Sequence, residues 1–327
     1  MKAIQVHDGG HTLSWEEVPT PTPKPGEVLI KVAATSCNRA DLLQRRGLYP
    51  PPQGASPILG LDASGVVEAV GEGVDQWEPG DKVCTLLAGG GYAEYVTSPA
   101  GLLLEVPSPI RLVEAAAIPE VFYTAFVNIF LEADFKLGES VLIHAAASGV
   151  GTAAVQICRA FDSPVIGTAS HSKLDFLREL GVDMAIDREN EDFSARIDQL
   201  TEHDGVDIIL DPVGASYFER NLHLLKNQGR LIIIGLLSGA DAQISLARLL
   251  RRRLRVIGSV LRSRSVEEKV AITDKFRATL WPLFEAGEIQ PIIDKTFPIE
   301  RAEKAHQLLE DNATIGKIVL TIDDSLG

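Results

Sequence analysis

The chain has 327 residues, 45% hydrophobic and 23% charged, a folded globular composition long enough for two domains. A net charge of −14 argues against nucleic acid as the main partner, because phosphate backbones would be repelled. Three scattered cysteines, Cys37, Cys84 and Cys158, are odd in number; they argue against a disulfide framework or a cysteine-rich zinc lobe and read as small buried hydrophobes.

The start, MKAIQVHDGG, turns polar too early for the apolar region of a signal peptide. No stretch reaches the roughly 18 uncharged apolar residues of a membrane span. A cytoplasmic protein without membrane association is the expectation. The run VPTPTPKPG (18–26) forbids a helix and delivers a strand, EVLIKVAAT. Further strands are expected at GVVEAV, KVCTLL and YAEYV, between turn signals at Glu78-Pro79-Gly80-Asp81 and Gly89-Gly90-Gly91. No regular alternation with helices occurs here, so a compact β-rich domain is predicted.

After Pro109 the texture changes. Residues 111–133 read as helical with an interruption at Pro119. Then VLIHA, PVIGTA, MAID, VDIILD, RLIIIG and RVIGSVL alternate with helical stretches. These apolar runs are short, rich in Val, Ile and Leu, and bounded by Gly or Asp, as strands buried on both faces should be. Six of them with helices between predict a doubly wound α/β parallel sheet. From Ser265 a long helix, a strand DKTFPI, a second helix and a strand KIVLTI break the alternation and are expected to complete the first domain. The predicted division is 1–117 with 262–327 for the β-rich domain and 118–261 for the sheet. The basic knot Arg248, Arg251, Arg252, Arg253 and Arg255 reads as a solvated helix end, with a local anion site as the alternative.

Between the first strand and helix of the sheet lies Ala145-Ala146-Ala147-Ser148-Gly149-Val150-Gly151-Thr152. It fits G-x-G-x-x-A and not the full G-x-G-x-x-G. Its position after a strand and before a helix makes it a dinucleotide loop, with helix N–H groups aimed at a pyrophosphate. An NAD-specific site wants an acid at the end of the second strand. GTASHSK (167–173) has none. Ser170 and Lys173, with Arg188 after the third strand, would instead meet a 2′-phosphate. At roughly 1.5–3 kcal/mol per charged hydrogen bond, two such contacts favour NADPH by on the order of a hundredfold or more. His144, ending the first strand, reads as a core histidine.

NRADLLQRRGLYPPP (38–52), GLDASGVVEAVG, GGGYAEYV, AAAIPEVFYTAF (115–126), ASGVGTAAVQ and IGKIVL occur in order along nearly the whole chain. Together they resemble the medium-chain dehydrogenase/reductases, and within them the zinc-free quinone oxidoreductase branch that includes zeta-crystallin. The likeness is strongest to the NADPH:quinone reductases induced by a tumour-suppressor pathway in animals and their bacterial relatives. The resemblance implies a GroES-like catalytic domain beside the Rossmann sheet, and a homodimer paired along the last strand of that sheet. In zinc relatives a ligating cysteine stands at Asn38 and a ligating histidine at Leu61. Cys37 is one place off and a strand neighbour points the other way. Neither zinc is therefore expected.

The resemblance implies that Tyr49 and Asn38 line the cleft near the nicotinamide, and that Thr124, Ser148, Gly149, Val150 and Gly151 contact phosphate and nicotinamide. Gly235, Leu236 and Leu237, and later Val260, Leu261 and Arg262, resemble stretches that pass the nicotinamide. Relatives often carry tyrosine at Arg188. The expected activity is reduction of a quinone, stacked in the interdomain cleft, by NADPH without metal. A conjugated acceptor spreads the incoming charge and needs only stacking, exclusion of water and a hydrogen bond. Tyr49 is the candidate donor, or else packs over the pocket; Asn38 orients the ring or ribose, or else caps its loop. An enone, alkenal or enoyl-thioester reductase is the second enzyme reading. A non-enzymatic nucleotide-binding protein, crystallin-like or RNA-associated, is the third.

Overall fold

The computed structural model describes residues 1–326. The chain separates into two compact units, Met1–Tyr123 with the segment from Leu261 onward, and Thr124–Val260. The first division falls six residues beyond the expected 117/118. Phe122 stacks edge-on against Phe284, and Tyr123 lies flat on Phe276 with ring centroids 4.1 Å apart, so the C-terminal segment holds these residues.

The first unit opens with an antiparallel hairpin, β1 (Lys2–His7) on β2 (Thr12–Glu17), which the sequence reading passed over. The proline run then releases β3 (Glu27–Ser36), a ten-residue strand buried at eight positions. Helix α1 (Arg39–Arg45) follows, and its start is fixed by the Asp41 carboxylate, which accepts the Asn38 N–H at 2.8 Å. Strands β4 (Asp62–Val70), β5 (Lys82–Leu86), β6 (Tyr95–Pro99) and β7 (Leu103–Glu105) come next, then α2 (Leu112–Ala115) and α3 (Pro119–Phe126). Gly60, just before β4, must be glycine: its φ is +100°, and an added Cβ would stand 2.7 Å from the Tyr92 nitrogen.

The second unit carries a six-stranded parallel sheet. Its strands are β8 (Val141–Ile143), β9 (Val165–Ala169), β10 (Met184–Asp187), β11 (Val206–Asp211), β12 (Leu225–Ile233) and β13 (Arg255–Gly258). The order β10-β9-β8-β11-β12-β13 is that of a doubly wound Rossmann sheet. The intervening helices are α4 (Gly149–Ala160), α5 (Leu174–Glu179), α6 (Phe193–Leu200), α7 (Ala215–Leu224) and α8 (Leu246–Arg252). Leu142, Ile166, Ile186, Ile209 and Leu231 join Phe193 and Leu222 in one core cluster, which explains why each strand reads as an unbroken apolar run.

The tail supplies α9 (Val266–Glu285), β14 (Ile293–Pro298), α10 (Ala302–Glu310) and β15 (Lys317–Thr321). β15 pairs antiparallel with β3, and the first unit's larger sheet runs β14-β15-β3-β4-β5-β7 with β6 also on β3. The fold is thus an α/β protein with a Rossmann sheet and a GroES-like β domain, as the sequence indicated.

Candidate active site

All but one of the nucleotide-facing residues expected in the second unit stand at the C-terminal ends of parallel strands. Ser148 to Gly151 follow β8, Ser170 and Lys173 follow β9, and Arg188 follows β10. Gly235, Leu236 and Leu237 follow β12, and Val260 follows β13. Because the sheet is parallel, these ends form one edge, where open α/β sheets bind their ligands. Thr124 does not follow a strand of this sheet; it lies on α3, where its carbonyl accepts from the Asn128 amide.

The β8 loop is tightly made. Ala145 takes a left-handed φ of 51°, and the Ala146 N–H reaches the Thr168 carbonyl. A Cβ on Gly151 would lie 2.4 Å from the Ala145 oxygen, so this glycine serves the loop's own packing. Ser148 caps α4 by accepting the Gly151 N–H at 3.1 Å. The Gly149 and Val150 N–H groups head the helix, where no intrahelical partner exists, so the loop fits a pyrophosphate. Beneath it, buried His144, just past β8, bridges β9 and helix α7. Asn221 uses its amide N–H on Asp211, so its oxygen accepts from His144 Nε2 at 2.8 Å, and Thr168 then donates to Nδ1 at 3.0 Å. Burial pushes His144 down to about 4, and it stays neutral: a core histidine, as read.

β9 and β10 run in register, Asp187 beside Ala169, which brings Ser170 and Arg188 to one corner. The corner also holds acids, and they come from the end of β10 and not from that of β9. Asp187 accepts from His171 Nδ1 at 2.8 Å and from the Asn190 amide at 2.8 Å. Hydrogen bonds from Asn190 above all, then Glu189 N–H and His171, hold its carboxyl down at about 2. Glu189 accepts the His171 backbone N–H at 3.3 Å and lies 3.5 Å from the Arg188 guanidinium.

In the first unit, Asn38 is 5% exposed and its side chain is fully engaged. Its Nδ2 donates to Asp62 at 2.7 Å, and its Oδ1 accepts from Lys317 Nζ at 2.5 Å. Lys317 also donates to the Cys37 carbonyl at 2.9 Å and faces Asp62 at 3.4 Å. Asp62 accepts in addition from Ser36 Oγ and the Glu120 N–H. A second chain of contacts runs from Asp41 through Tyr92 and His306 to Arg45. Burial raises Asp41 to about 6 and lowers His306 to about 3.

Tyr49 is half-buried, and its hydroxyl makes no hydrogen bond among the described residues. Burial raises its pKa, so it remains an O–H donor. The Arg262 guanidinium lies 5.2 Å from the Tyr49 ring centroid and donates to the carbonyls of Ala88 and Tyr49 and to Gln44. Arg262, read as a cofactor contact, therefore has its donors committed to holding the Tyr49 loop. Leu261, beside it, lines a small apolar recess with Leu86, Leu102 and Tyr123.

Residues 24–108 match the model of the alcohol dehydrogenase GroES-like domain, and residues 149–275 that of the zinc-binding dehydrogenases. Over 317 residues the chain is 36% identical to the synaptic vesicle membrane protein VAT-1 homolog of Rattus norvegicus, covering 92% of this chain and 78% of that protein. It is 32% identical over 328 residues to the quinone oxidoreductase of Lama guanicoe, covering 98% of both. Among solved structures, a mycobacterial protein complexed with NADPH superposes with a TM-score of 0.88 at 31% identity, over 98% of this chain and 100% of that one. The CurK enoyl reductase superposes at 0.87 and 29%, over 98% of each. The chain belongs to the medium-chain dehydrogenase/reductase family. That class makes it an oxidoreductase and implies NAD(P) as its cofactor, which the β8 loop fits. Within the family it falls in the branch of quinone oxidoreductases and VAT-1 proteins.

A zinc does not fit the residues at the corresponding place. Leu61 has no donor atom, Asn38 spends its oxygen on Lys317, and burial pushes the Cys37 thiol up to about 12. Among the described residues no group of three His, Cys, Asp or Glu side chains gathers at metal-binding distance.

Proposed function

We propose that the protein is an NADPH-dependent quinone reductase that transfers hydride without a metal. One observation carries this reading: the Lys317–Asp62–Asn38 network fills the place where zinc relatives keep their ligands. No Lewis acid is then at hand to stabilise an alkoxide, which disfavours simple aldehydes and ketones as acceptors. A quinone takes hydride at an electron-poor position and delocalises the charge, so the protein need only orient it, exclude water and hydrogen-bond its oxygen. Bound NADPH supplies the hydride and both electrons. Tyr49 offers the hydrogen bond, its O–H kept protonated by burial and its ring supported by Arg262. Ser170, Lys173 and Arg188 would receive the 2′-phosphate.

The likeness to an enoyl reductase supports a second reading, reduction of enones, alkenals or enoyl thioesters on the same scaffold. Self-association belongs to the proposal too. β13 ends its sheet with an open edge, a pairing liability that a second copy would cover.

Steady-state oxidation of NADPH against 1,2- and 1,4-quinones, alkenals and enoyl thioesters separates the readings. Quinones should give the highest kcat/KM, and Tyr49→Phe should lower kcat on them roughly 100-fold. Alkenals or thioesters far ahead of quinones would install the second reading. No oxidation with any acceptor would favour the non-enzymatic one.

A further inference from the structure

The corner where β9 and β10 end is not simply basic. Arg188, Lys173 and His171 bring three potential cations to it, the last with its ring 75% exposed and Nδ1 fixed on Asp187. Against them stand three carboxylates from the neighbouring strand's end, Asp187, Glu189 and Glu191. Asp187 is buried and satisfied by His171, Asn190 and two backbone N–H groups, so it is structural. Glu191 points back to the Asp187 N–H and to Arg196. Glu189 is different. It is half-exposed, and the groups it holds are the His171 backbone N–H at the start of a helical turn and the Arg188 guanidinium.

Those two donors are what a 2′-phosphate at this corner would seek. A backbone N–H opening a helical turn and a guanidinium are strong anion partners. A carboxylate already on them must be displaced, or must face the phosphate as a like charge. Toward an unphosphorylated ribose the same carboxylate acts oppositely, since it can accept a hydrogen bond from the 2′-OH.

We propose that Glu189 sets the preference between NADPH and NADH by competing with the 2′-phosphate for the His171 N–H and Arg188. This rests on the nicotinamide-cofactor reading above and deepens it: the protein is less exclusive for NADPH than Ser170, Lys173 and Arg188 alone would make it. Glu189 takes the part that other dinucleotide sheets give to an acid at the end of the second strand. Here the acid comes from the end of the third strand.

The test is calorimetric binding of adenosine 2′,5′-bisphosphate and adenosine 5′-monophosphate to the unaltered protein and to Glu189→Gln. Removing one negative charge beside the phosphate should tighten the bisphosphate about five- to tenfold. Binding of the monophosphate should stay within about twofold or weaken. Kinetics should follow, with KM for NADPH falling and KM for NADH not. An unchanged bisphosphate affinity, or equal changes for both nucleotides, overturns the proposal while leaving the cofactor reading intact. If the unaltered protein binds neither nucleotide, the cofactor reading itself fails and takes the inference with it. Because Glu189 is on the surface, an unchanged melting temperature confirms that the variant is folded.

Discussion

Lys317 lies in the IGKIVL stretch, 3% exposed, with an ammonium that meets the Cys37 carbonyl, the Asn38 amide oxygen and the Asp62 carboxylate. Each partner on its own would be costly to bury; together they are satisfied. Lys317→Met leaves Asp62 charged and short of a cation, and should cost about 3 kcal/mol of stability, read as a lower urea midpoint. Adding Asp62→Asn removes the stranded charge and should recover part of the loss. A double variant as unstable as the sum of the two singles would mean that the pair is not coupled. The sequence named Asn38 and left open whether it orients a ligand or serves its loop. The hydrogen bonds from Lys317 and to Asp62 show an amide used inside the protein. What hid this was distance along the chain: Lys317 comes from the last strand, 279 residues away.

At the scale of elements, the parallel sheet was the most legible part, because strands buried on both faces announce themselves as short Val, Ile and Leu runs. Their lengths were less so. β8 ends at Ile143 and β13 at Gly258, earlier than the apolar runs suggest, because the chain turns at those points into loops. The acids at the β9–β10 corner were missed for a similar reason. Along the chain only the residues after β9 stand at the expected position, whereas Glu189 arrives from the strand hydrogen-bonded beside it. The two buried histidines give this scale its prediction. His144 and His306 are held neutral, at about 4 and about 3, against an ordinary value of 6.5. Between 6.5 and those values the unfolded chain binds more protons than the folded one, so acidification favours unfolding. Asp41, raised to about 6 from 3.8, works in the opposite sense but is one group against two. Stability should therefore fall as pH drops from 7 to 5, by on the order of 1 kcal/mol per unit for each histidine. His144→Gln, which can still bridge Thr168 and Asn221, should flatten the decline. A urea midpoint constant over that range, or a slope unaltered in the variant, would contradict it.

At the scale of the whole molecule, the chain leaves its first unit after Tyr123, builds the Rossmann sheet and returns at Leu261 to add β15 to β3. The break in helix–strand alternation after Ser265 made that return readable. The precise exchange point was not, since the aromatic contacts of Phe122 and Tyr123 with α9 link residues about 150 apart. The same long-range assembly brings Lys317 to Asp62, and so ties the fold to the chemistry proposed for it. The chemistry proposed is hydride transfer from NADPH to a conjugated acceptor without metal. It is tested most directly by quinone turnover after exhaustive dialysis against a chelator, with metal content measured on the same sample. Unchanged kcat is expected, with far less than one metal per chain. Activity that disappears on chelation and returns with zinc would contradict it.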